Sequence, residues 1–240
     1  MPRRPRSNPR VANTDPTLPV WVGSERLGGC GSHARLGRTA AAPDIIELLS
    51  RSSRRSSELN AGRVDVLIQL VDQGIARNPL DPSNFNLLGI FQYAAGRLPE
   101  SAAAFQRLLG LDPEYVGARA NYGVTLMAMG KYPEALAVAE KESYEMTKLT
   151  ALPCIVWTMG RRAESAAALR TLEVKYGDTA AFAAALNHAC RGEVDLAFSW
   201  LERAYQQRDG SLAIIKIHPW LQSLRGDPRY NALLRKLKML

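Results

Sequence analysis

Long apolar runs are missing from this 240-residue chain. The best stretch, Ala151 to Met159, is broken by Pro153 and Thr158 and falls short of the roughly 18 residues that a membrane-spanning helix needs. No membrane association is therefore expected. A secretory leader would place an apolar run soon after a basic start, and Met1 to Leu18 has none. Cysteine is scarce as well: Cys30, Cys154 and Cys190 are an odd number with no close pair, which predicts reduced thiols and a cytoplasmic setting rather than a disulfide framework.

The residue patterns of catalysis are also absent. There is no CxxC, HxxxH or HExxH spacing, so no metal site is expected. Of the three histidines, His33 lies in a Gly-rich stretch and His218 precedes Pro219 in a connector. His188 and Cys190, two apart on a helix, do not share a face. The segment Gly31 to Thr39 resembles a phosphate loop only faintly: its spacing is one residue too long, Arg38 stands where a lysine is required, and no strand precedes it. Glu100, Glu134 and Glu164 each fall in the first turn of a helix, where a carboxylate favours the positive end of the helix dipole. These readings predict a non-enzymatic protein with no cofactor.

What is there begins with charge. The chain carries a formal net charge of +8, and residues 1–57 hold ten arginines against Asp15, Glu25, Asp44 and Glu47, hence six of those eight charges. That segment is rich in Pro, Gly and Ser, has no sustained apolar period, and is expected to be a largely disordered tail. It could serve as a salt-sensitive arm for nucleic acid, the only route to such a partner; composition alone is not specific, so a linker or a misassigned start is the favoured reading and a nucleic-acid partner is not expected. The remaining 183 residues are nearly neutral.

The second positive feature is a repeat. Gly62, Gly96 and Gly130 are 34 residues apart, each followed by Arg63, Arg97 or Lys131. Pro99-Glu100 recurs as Pro133-Glu134, Gly89 as Gly123, and Asn78-Pro79 as Asp112-Pro113. Gly160 and Gly192 continue the series at intervals of 30 and 32. A period in this range marks a stacked two-helix unit that buries its apolar face only against its neighbours. In the second copy the pattern predicts helix A over residues 84–95 and helix B over 99–109. Gly96 supplies the left-handed turn between them, and Asp112-Pro113 ends helix B. Gly89 faces Ser101, so the pair can cross closely.

Departures from the pattern are specific. In the first copy, helix A over 48–61 would turn Arg51, Arg54, Arg55 and Glu58 toward the core, which predicts a frayed lead-in. Pro153 falls inside helix A of the fourth copy and predicts a kinked or late-starting helix there. At the end, Asp227-Pro228 reads as an N-cap with proline in the first turn. Tyr230, Leu233, Leu234 and Leu237 form the stripe of a capping helix, and Trp220 and Leu221 are expected to plug the end of the core.

These residues resemble the tetratricopeptide repeat. The second copy carries its signature as Phe85, Leu88, Gly89, Gln92, Ser101, Phe105, Leu108 and Pro113; the third as Arg119, Tyr122, Gly123, Leu126, Ala135, Ala139 and Glu142. The resemblance covers about residues 58–216. It implies an all-α, right-handed superhelical solenoid of about four helix pairs, with residues 217–240 as a C-terminal capping helix. The segments around Gly160 to Ser165, Ala197 to Tyr205 and Leu224 to Leu234 further resemble the C-terminal arrays of bacterial adenylate cyclases and winged-helix transcription regulators.

The resemblance also implies a function: a protein–protein interaction scaffold or adaptor whose A helices line a concave groove for a peptide or partner domain. Helix positions assign Asn86, Ile90, Tyr93, Asn121, Val124, Met127, Thr150, Cys154 and Trp157 to that groove, with Ala120, Phe182 and Leu186 beside them. Several of these could instead be inter-repeat core. Of the positions that grip a peptide carboxylate in cochaperone arrays, only Asn121 matches, so no such clamp is expected. The groove suits an amphipathic helix or a segment of the chain itself. The alternative is a detached regulatory region of a bacterial cyclase or transcription regulator.

Overall fold

The structure, a computed structural model, describes residues 62–240. The N-terminal tail and the lead-in helix expected over 48–61 lie outside those residues. Ten α-helices follow in order: α1 Val64–Arg77, α2 Pro82–Ala94, α3 Leu98–Leu111, α4 Ala118–Ala128, α5 Tyr132–Glu140, α6 Glu145–Thr158, α7 Arg162–Tyr176, α8 Ala181–Cys190, α9 Val194–Gln207 and α10 Pro228–Lys236. Two short 3-10 helices, Gly210–Ile214 and Pro219–Leu224, stand between α9 and α10, and there is no strand among the described residues. The fold is an all-α repeat.

Helices α2 to α9 pack as four successive A/B pairs, and each A helix also touches its neighbour. The repeat glycines make the turns. Gly62, Gly96, Gly130, Gly160 and Gly192 all sit at φ between 71° and 78°, a region that costs a side chain but not glycine. After each of the last four, the B helix starts with its acidic residue in the first turn: Glu100, Glu134, Glu164 and Asp195.

Within a pair the helices cross at a small-residue slot. A Cβ at Gly89 would lie 2.6 Å from Phe105 Cζ, so only glycine fits there. Ser101, facing it, donates its hydroxyl to the Gly89 carbonyl at 2.8 Å and lies 3.0 Å from Thr125 Oγ1 of the next pair. In the third pair Pro153 occupies the same slot, and Ser165 donates to its carbonyl at 2.7 Å. Helix α6 starts at Glu145 and is helical on both sides of Pro153. The late start expected from that proline does not occur, because the neighbouring pairs bury the helix on both flanks.

The C-terminus closes the stack largely as its sequence predicts. Asp227 caps α10 by accepting the Arg229 N–H at 2.9 Å, and Tyr230, Leu233 and Leu234 are buried in the terminal core with Leu221 and Leu224. The capping helix itself spans only Pro228–Lys236; the residues before it are the 3-10 segments.

The cysteines depart from expectation. Cys154 on α6 and Cys190 at the end of α8 form a disulfide, with Cα atoms 6.1 Å apart and a sequence separation of 36. Consecutive A helices lie side by side, which brings together thiols that no local spacing would pair. Cys154 is wholly buried, so the bond lies at the seam of the third and fourth pairs.

Candidate functional site

The first helix of every pair contributes to one inner face. Ile90 and Tyr93 from α2, Asn121 and Val124 from α4, Thr150 from α6, and Phe182 and Leu186 from α8 line a single cavity of about 160 Å³. Its other wall is not solvent. Ile214, Ile217, His218, Pro219 and Trp220, from the 3-10 region after α9, line the same cavity. A strap of the chain, residues 210–224, therefore runs across the inner face.

The strap divides its side chains between two cores. Leu212, Ile215, Leu221 and Leu224 are buried in the terminal core beside α8, α9 and α10. Ile217 is buried with Leu67, Ile68 and Val71 of α1 and Leu87 and Phe91 of α2, and Ala213 and Ile214 pack on the same cluster. Trp220 reaches the cluster around Ala120, Met127, Ala151 and Ile155. The strap thus packs on the first described helix and on the middle of the array.

Its backbone is satisfied locally. Leu212 N–H bonds Asp209 O, Ile215 bonds Leu212 O, Ile217 and His218 bond Ile214 O, and Leu221 bonds His218 O. Asp209 fixes the start: one carboxylate oxygen accepts the Phe182 N–H of α8 at 3.0 Å, and the other accepts Ser211 N–H at 2.9 Å. The cap holds the outer side, where Tyr230 OH donates to Ile215 O at 2.9 Å and Arg225 donates to Lys216 O at 2.8 Å.

A small aromatic cluster sits where strap and face meet. The His218 ring lies 5.4 Å from Trp220 and 6.4 Å from both Tyr93 and Phe182, edge to face. Its Nδ1 accepts the Trp220 backbone N–H at 3.3 Å, which calls for a neutral ring. Burial pushes His218 down to about 3, with Arg225 adding repulsion. Burial also pushes the Tyr93 phenol up to about 12, against the opposing hydrogen bond from the Trp220 side chain.

Of the nine residues assigned to the groove from sequence, Ile90, Tyr93, Asn121, Val124 and Thr150 meet at the cavity. The other four lie off it. Asn86 is buried in α2, its Oδ1 without a hydrogen-bond partner. Met127 has turned about 60° from Val124 and is buried between pairs. Cys154 is in the disulfide. Trp157 is held between the guanidiniums of Arg162 and Arg191, 3.5 and 4.7 Å from its ring centre. Met127 and Cys154, one turn beyond the inward Val124 and Thr150, face a neighbouring helix rather than the groove.

Sequence reasoning missed the strap's inward face. The signal was present in Leu212 to Leu221, too aliphatic for a solvated linker, but its side chains follow neither a helix nor a strand period. His188 was passed over too. Its ring nitrogens lie 2.7 Å from a Glu173 oxygen and 2.6 Å from a Glu193 oxygen, so the residue ties α7 to the turn before α9. No group of three or more His, Cys, Asp or Glu side chains among the described residues is arranged to hold a metal ion, and no helix among them is long and apolar enough to cross a membrane.

Two family models described as tetratricopeptide repeat match the chain, over residues 92–141 and 56–116. Among solved structures, the chain is similar to one in the crystal structure of the APC/C hetero-tetramer Cut9-Hcn1, at 14% identity and a TM-score of 0.49. The match covers 82% of this chain and only 39% of that one.

Proposed function

The chain is a tetratricopeptide repeat protein, and from that premise we propose that it is an adaptor that binds a peptide or partner domain on the inner face of its A helices. Repeats of this kind generally mediate protein–protein interaction, and stacked helix pairs present an extended surface for it. One observation carries the finer reading: an apolar segment of the chain already lies across that face, with Ile214, Ile217 and Trp220 turned into it. A surface that takes those side chains has the shape and polarity for another segment of the same kind.

The reading places the protein in the cytoplasm, where the Cys154–Cys190 bond would be formed only transiently. Quantitative alkylation of cells before lysis tests this, and a fully oxidised pair would contradict it.

The groove itself is tested by capture from native lysate with the full chain, with Val124→Gln on the inner face, and with Val174→Gln as a control. Val174 is 79% exposed. Loss of one dominant partner with Val124→Gln alone is expected. Loss with Val174→Gln alone would move the interaction off the groove.

A further inference from the structure

We propose that residues 210–224 act as an internal ligand of the groove, and that the partner is a segment of the same chemistry: two aliphatic side chains three residues apart, followed by a proline-aromatic step. The inference rests on the groove reading above and names what the groove takes.

The strap records that chemistry. Ile214 and Ile217 enter the apolar cluster of α1 and α2, and Pro219-Trp220 delivers an indole between the core around α4 and α6 and the terminal core. The Trp220 indole packs edge to face on His218, which meets Tyr93 in the same way, a ring contact that an aliphatic side chain would not make. Acidic or basic partners are disfavoured. The cavity wall holds no Lys, Arg or Glu, and its single carboxylate, Asp209, is already engaged by two backbone N–H groups.

The contacts also divide in a way that permits exchange. The strap's backbone N–H bonds are its own, the Ile215 carbonyl is tied to the cap by Tyr230, and the Lys216 carbonyl is held by Arg225 just beyond the strap. Across the groove it is held by side chains. An incoming segment can replace those inward contacts while the strap remains attached to the cap, turning at Arg208, whose φ of 55° marks the bend after α9. Self-occupancy lowers apparent affinity by the fraction of molecules in which the groove is open, so weakening the strap tightens binding.

The test uses a fluorescent peptide of residues 210–224 and the full chain, with affinity read by anisotropy. The folded Trp220→Ala variant is expected to bind the peptide about tenfold or more tighter than the unmodified chain. Ile214→Ala, at another half-buried position, is the second variant if the first does not fold. A lock supplies the converse. A Cβ at Gly62 would lie 3.9 Å from Lys216 Cβ, within the span of a disulfide, at the cost of a side chain in a left-handed turn. Gly62→Cys with Lys216→Cys, added to the weakened variant, should abolish peptide binding when oxidised and restore it when reduced. The variant lacking the lock should be indifferent to the same treatment.

Equal affinity for the unmodified and weakened chains, or undiminished binding by the locked form, overturns the proposal. So does equal binding of a peptide with serine in place of Ile214, Ile217 and Trp220. Val124→Gln separates the two claims. Binding that survives it puts the site off the groove and defeats the groove reading. Binding that it abolishes, but that ignores the strap variants and the lock, defeats only self-occupancy.

Discussion

The first complete helix pair and the third solve the same crossing in different ways. In α2/α3 the slot is Gly89, pressed by the Phe105 ring; in α6/α7 it is Pro153, which already carries a Cβ. Both are answered by a serine whose hydroxyl reaches the slot's carbonyl, Ser101 at 2.8 Å and Ser165 at 2.7 Å. The crossing therefore requires a small B-helix residue and a satisfied carbonyl rather than glycine as such. The two pairs also differ in how they are tied to the rest. The third is joined covalently to the fourth through Cys154–Cys190, while the first is held to the C-terminus by Ile217 of the strap.

The largest expected effect breaks the covalent half of that contrast. Closing a 36-residue separation restricts the unfolded chain by up to about 4 kcal/mol. Reduction, or Cys154→Ser, should lower stability by an amount approaching this in urea denaturation. A change under about 1 kcal/mol would mean that the bond constrains little.

Next come the two slots, where alanine should act in opposite directions. Gly89→Ala forces a Cβ to 2.6 Å from Phe105 and is expected to cost about 1–3 kcal/mol. Pro153→Ala keeps a Cβ already accommodated, restores the N–H that proline lacks, and should gain about 1–3 kcal/mol. Thermal melts of the two variants check the signs; like signs would defeat the comparison.

At neutral pH an effect confined to the strap is silent, and it emerges only on acidification. His218 stands near 3 in the folded chain against an ordinary value of 6.5, so on acidification the unfolded chain takes up the proton first. This contribution is intact above about pH 6.5 and falls by about 1.4 kcal/mol per unit as pH drops toward 3. His218→Asn keeps an acceptor for the Trp220 N–H and removes the titration. Melts at pH 7 and pH 5 should show a shallower acid loss for the variant than for the unmodified chain; equal slopes would remove His218 as the cause.

Smallest of all, Arg97→Ala severs a pair with Asp65 that is largely exposed on both sides. It should change stability by no more than about 0.5 kcal/mol, although it too bridges α1 and the first pair.

Much of this was legible from the residues. Each of the five repeat glycines sits at a left-handed turn, and the predicted helices of the second copy are right to within two residues at each end. The Asp227 cap and its stripe are where the sequence puts them. The inner face was legible only in part, since periodicity says which helix face is apolar but not whether a neighbouring repeat or the groove receives it; Val124 and Met127 show both outcomes. The strap and the disulfide were not legible. A 3-10 segment that shares alternating side chains between two cores has no single period, and a pair of thiols 36 residues apart becomes close only once the repeats stack.

The most direct test of a groove closed by its own chain is a photo-crosslinking side chain in place of Asn121, mapped by mass spectrometry before and after a bound partner is added. The account predicts crosslinks to residues 214–220 in the free protein and their replacement by crosslinks to the partner. Crosslinks to the strap that persist at saturating partner, or none to the strap at the outset, would contradict it.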